Sequence, residues 1–125
     1  MSANTTGACA GGPKLIFACS GAADVGAISD LAARKLMKEG AGKMYCLAGI
    51  GGRVPAILAT TAAASKILAI DGCPLNCVRE TLTAAGFEKF EHVLVTNFGL
   101  EKGRSEPTDL HVAIVAAKGR ELLTD

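Results

Sequence analysis

The chain has 125 residues, half of them apolar, which is enough for one compact domain with its own core and too few for two. Thirteen basic residues against twelve acidic leave a formal charge of +1. That balance argues against a nucleic-acid groove or an anionic membrane surface as partner. No apolar run approaches the ~20 residues of a bilayer-spanning helix, and the opening MSANTTGACAGGP lacks the basic start and apolar stretch of a secretion signal, so a cytoplasmic chain is expected.

Residues 1–13 are small and polar, with little to bury, and read as a flexible N-terminal arm ahead of a single domain over 14–125. The first apolar run predicts a strand over 14–19, followed by a helix over 24–39 with Val25, Ile28, Ala32 and Leu36 on one face and Gly40 as its stop. A second strand over 43–47 breaks at Ala48-Gly-Ile-Gly-Gly52. Pro55 then suits the first turn of a helix to about residue 64, where its missing amide hydrogen costs nothing. The third strand, 66–70, ends in Asp71-Gly-Cys-Pro74, and Pro74 predicts the start of a helix closed by Gly86. A fourth strand over 92–97 and a last helix over 108–123 complete the order. Strands that are apolar throughout belong to a sheet covered on both faces. The expected fold is α/β: a three-layer α/β/α sandwich with a mainly parallel four-stranded sheet, Rossmann-like, joined by right-handed crossovers.

The chemistry lies in the cysteines. Cys19, Cys46 and Cys73 recur every 27 residues, each at the end of an apolar run, and Cys77 follows Cys73 by one helical turn. A parallel sheet gathers the carboxyl ends of its strands along one edge, where such folds place their sites, so four thiols are expected in one crevice. A reducing compartment disfavours a disulfide framework, leaving metal binding or thiol chemistry. One buried cysteine alone is ordinarily a small hydrophobe; four at matched positions read as a shared site. The pattern places Cys73 at or beside a helix N-cap, where a thiolate is favoured. Four thiolates suit a tetrahedral zinc, with Arg53, Arg79 and the amides of Gly49 to Gly52 as sources of positive charge. Asp71 is expected to accept hydrogen bonds from loop amides. Cys9, in the arm, is the cysteine least expected to have a fixed role.

With Cys19-Ser-Gly upstream, Cys46-Leu-Ala-Gly-Ile-Gly-Gly52 between and Asp71-Gly-Cys-Pro-Leu-Asn-Cys77 downstream, the chain resembles the DGC-domain family, named after its Asp-Gly-Cys motif, from Leu15 to about Leu122. The resemblance implies a zinc-binding protein with Cys19, Cys46, Cys73 and Cys77 as ligands, and it assigns no reaction. Other chemistries stay open. Cys73 and Arg79 have the Cys-x5-Arg spacing of thiol phosphatases, though Pro74 removes one amide donor and Glu80 stands where that signature has Ser or Thr. Cys73 as nucleophile with Cys77 resolving would make a thiol redox enzyme; a metal carrier or sensor, or an iron–sulfur protein, would use the same four ligands. His92 and His111 read as surface or packing histidines, and Lys102, Arg104 and Glu106 as a solvated loop on the site side of the sheet, with a cover that supplies cations to an anionic ligand as the alternative.

Overall fold

The computed structural model describes residues 11–125. The first ten residues of the predicted arm, Cys9 among them, lie outside the described residues. Gly12 and Pro13 are held against the domain, where the Ser65 amide donates to the Pro13 carbonyl at 2.8 Å.

Four strands, β1 (Lys14–Ala18), β2 (Lys43–Met44), β3 (Lys66–Asp71) and β4 (Glu91–Leu94), form one sheet in the order β2-β1-β3-β4. Every neighbouring pair is parallel. Five helices accompany them: α1 (Asp24–Lys38), α2 (Leu47–Gly51), α3 (Pro55–Ala62), α4 (Cys77–Ala84) and α5 (Asp109–Leu123). Alternation along the strands sorts the core into two layers. Ile16 and Ala18 of β1, Leu68 and Ile70 of β3 and Val93 of β4 pack with Ile28, Ala32 and Leu36 of α1 and Val115 and Ala116 of α5. Leu15, Phe17, Ile67 and Ala69 face the other way, onto Ile50, Val78, Leu82 and Phe87. The expected α/β fold, helices on both faces of a four-stranded parallel sheet, is what the chain adopts.

Three boundaries differ from the sequence pattern. β2 pairs with β1 through only two residues before Cys46 becomes the N-cap of α2. β4 ends at Leu94, opposite Asp71; β3 stops there, so the apolar run beyond has no partner and winds into a 3₁₀ turn over Val95–Phe98. The third difference bears on the site. The helix predicted to start near Pro74 starts at Cys77, because Asn76 takes a left-handed conformation at φ 55° and ψ 49° and ends the continuity from Pro74. Asn76, not Cys73, is therefore the N-cap.

Candidate functional site

Each thiol is delivered by a different device. The Cys19 amide donates to Ile70 at 2.9 Å, so the residue continues the register of β1 on β3 one step past the strand. Cys73 lies two residues beyond β3. Cys77, not Cys73, is the first residue of α4. These three line one cleft of about 470 Å³, together with Ala22, Leu75 and Lys102.

Cys46 is exposed and lines an adjoining cleft of about 500 Å³ with Ser20, Arg34, Tyr45 and Thr81. The wall between the two is the end of β1 and the chain just past it: Ala18 and Ser20 line the Cys46 side, Cys19 and Gly21 the other. The structure thus gathers Cys19, Cys73 and Cys77 and sets Cys46 next door. Neither Arg53 nor Arg79 lines the thiol cleft. Arg53 donates to the Ala84 carbonyl at 3.1 Å, and Arg79 stands 3.5 Å from Glu80. Gly49 and Gly51 are part of α2 instead of an open loop.

Asp71 is fully buried, and its carboxylate is filled by donors. The Val78 amide donates to Oδ1 at 2.7 Å and the Arg79 amide to Oδ2 at 3.1 Å. Asp71 thereby caps α4 from seven residues upstream, a task the Asn76 side chain does not perform. Its expected role as an acceptor of amides holds, with the first turn of α4 in place of a loop. His92 completes the set, its Nε2 lying 2.8 Å from Oδ2. The reading of His92 as an ordinary histidine missed this contact; its register opposite Ala69 on β3, beside Asp71 at the strand end, was the available signal. His111 does take a local role, its Nδ1 lying 2.6 Å from the Glu106 carbonyl.

Lys102 was read as part of a solvated loop. Its Nζ lies 3.7 Å from Cys73 Sγ. The segment that carries it is tied down at Asp24, which opens α1: the Gly103 amide donates to Oδ1 at 2.8 Å and the Ser105 amide to Oδ2 at 2.9 Å. Those two amides, and that of Val25, hold the Asp24 carboxyl below its ordinary range. Ser105, itself buried, accepts from the Glu101 amide at 2.7 Å.

A family model, the DGC domain, matches residues 15–118. The chain belongs to the DGC-domain family. It is also 35% identical over 92 residues to the anaerobic and virulence modulator AnvM of Pseudomonas aeruginosa, an alignment covering 74% of this chain and 70% of that protein. No solved structure matches.

In this DGC domain the donor chemistry suits a thiophilic ion, and three of the four sulfurs share a cleft. Among the described residues, no three ligand-type side chains already stand together as a metal-binding group, so the thiols would have to turn toward one another, and Cys46 would have to join from the adjoining cleft. Electrostatics link the three. Burial pushes the Cys77 thiol above its ordinary pKa, Cys19, Asp71 and Cys73 add to the rise, and Lys102 opposes it. An added cation would oppose the same rise at Cys77, as Lys102 does. No helix among the described residues is long and apolar enough to cross a membrane.

Proposed function

We propose that this DGC domain binds zinc through Cys19, Cys73 and Cys77, with Cys46 as the fourth ligand. The observation that carries the reading is the convergence of three thiols from three elements on one cleft at the carboxyl edge of the sheet. Bound zinc would act as a Lewis acid and would hold its sulfur ligands as thiolates. The chain's part is to supply the sulfurs and to hold Cys77 by the Asp71 cap. The exposed position of Cys46 supports an exchangeable metal, as in a carrier or sensor, more than a closed structural one. AnvM is named an anaerobic and virulence modulator, and a metal–thiolate centre, open to oxidation at sulfur, suits a regulatory role for this chain as well.

The test is zinc retention by the full chain against a competing chelator. Replacement of Cys19, Cys73 or Cys77 by Ser is expected to weaken retention by more than the roughly 10–100-fold that loss of an outer-sphere partner costs. Cys46→Ser is expected to weaken it less, and Cys9→Ser not at all. Equal retention across the five variants would remove the proposal. A second reading is supported by the Lys102 contact, which sets a cationic donor 3.7 Å from the sulfur of a candidate nucleophile, Cys73. Cys73 would then form a disulfide with Cys77 or Cys19, two protons being released and two electrons passing to a peroxide or a small disulfide as oxidant.

A further inference from the structure

The thiol cleft is much larger than a metal ion. Its volume is about 470 Å³, within the range of small-molecule sites, and its walls are of two kinds. Ala22, Ala23, Val25 and Leu75 give an apolar lining, and Leu75 is 68% exposed at the rim. The remaining functional groups are the three thiols and Lys102.

Among the described residues, Lys102 is the only side chain with a permanent charge in this lining. Asp24 and Asp71 do not line it, and both are filled by amide donors. No carboxylate lies within ion-pair distance of Lys102 among the described residues, whereas Arg104 two positions on stands 3.9 Å from Glu101. The lysine is also held in place. Gly99 at φ 80° and Gly103 at φ 88° make the two left-handed turns that bound the segment, and Asp24 anchors its far side. An ammonium presented from a tied backbone at an apolar cleft is a cationic subsite whose backbone is ordered before any ligand arrives.

From this charge complementarity we propose that the cleft binds a small organic carboxylate with a short apolar body. Lys102 pairs with the carboxylate, and Ala22, Val25 and Leu75 cover the body, placing it against the sulfurs. The inference deepens the proposed site by naming its ligand class and rests on that cleft being the working one.

The probe is butanoate, compared with neutral butanamide, titrated into the full chain as purified and followed by nuclear magnetic resonance of the Ala22, Val25 and Leu75 methyls. Saturating shifts with butanoate, and weaker binding of butanamide, are expected. Lys102→Gln should raise the butanoate Kd about tenfold, the effect of one unit charge a few ångströms away in a half-exposed cleft, and leave the butanamide Kd unchanged. Lys89→Gln, at the opposite edge of the sheet beside Lys66 and Glu91, should alter neither. No saturable methyl shift, equal binding of the two probes, or an unchanged butanoate Kd in Lys102→Gln would overturn the assignment. Inorganic phosphate binding as tightly as butanoate would overturn the role of the apolar walls. Zinc content measured on the same samples separates the two claims: loss of the metal reading with the butanoate response intact leaves this inference standing, and zinc retained without a butanoate response rejects this inference alone.

Discussion

The aspartate of the Asp-Gly-Cys motif acts through hydrogen bonds. Its carboxylate takes two amides from α4 and the imidazole of His92, so one buried side chain ties β3, β4 and the turn that starts with Cys77. Asp71→Asn keeps the shape but turns an amide NH₂ toward at least one of these donors. A buried donor left without an acceptor costs about 1–3 kcal/mol, which should appear as a lower urea midpoint with an unchanged slope. His92→Gln keeps a donor within reach of Oδ2 and is expected to cost less than about 1 kcal/mol. If Asp71→Asn is no less stable than His92→Gln, the carboxylate is not the organising group. The amide-accepting role of Asp71 was legible from its place at a strand end; the His92 contact was not, because only the parallel pairing, with His92 opposite Ala69, brings that imidazole within reach of the carboxylate.

Gly72, between Asp71 and Cys73, fixes how closely two elements approach. A Cβ there would stand 2.9 Å from the Val25 carbonyl group and 2.9 Å from the Gly26 amide nitrogen. All of these are backbone atoms at the start of α1, which no side-chain rotation can clear. Gly72→Ala must therefore push the loop after β3 away from α1, at a cost of about 1–3 kcal/mol by comparison with overpacked cores, and it should shift Cys73 relative to Cys19. The check is thermal unfolding together with the alkylation rate of Cys73, and an alanine variant as stable as the parent would show that the loop is not held against α1. The same loop shows where the sequence was legible. The long helix α1 and the sheet's buried strands were legible because α1 and β3 each carry their apolar pattern in a continuous run, whereas the short α2 fell in a stretch that read as a strand end and a break. The start of α4 was not legible, because the proline signal pointed to Pro74 while the deciding groups were a left-handed Asn76 and an acceptor at Asp71. Matched strand ends correctly brought Cys19 and Cys73 to one edge. They could not show that Cys46 falls into the adjoining cleft, since β2 is only two residues long and the chain turns into α2 at that cysteine.

Across the whole molecule, the two ends of the site are joined by Asp24. The connection from β4 to α5 packs Phe98 and Leu100 on the core and is fastened to α1 through the Gly103 and Ser105 amides, and it carries Lys102 to Cys73. This makes the tie itself measurable by pH. The same amide bonds hold the Asp24 carboxyl below its ordinary value of 3.8, so folding favours the charged form. A depressed carboxylate contributes stability that is complete above its unfolded-state pKa and is lost as pH falls through the folded one. The tie therefore persists through neutral pH and opens only in acid, with the Gly103 and Ser105 amide resonances moving together at a midpoint below 3.8. In Asp24→Asn the charge is absent at every pH, and these two resonances should show no such transition. A midpoint at or above the ordinary carboxylate value, or one shared by Asp24→Asn, would mean that the segment carrying Lys102 is held by something other than this carboxylate.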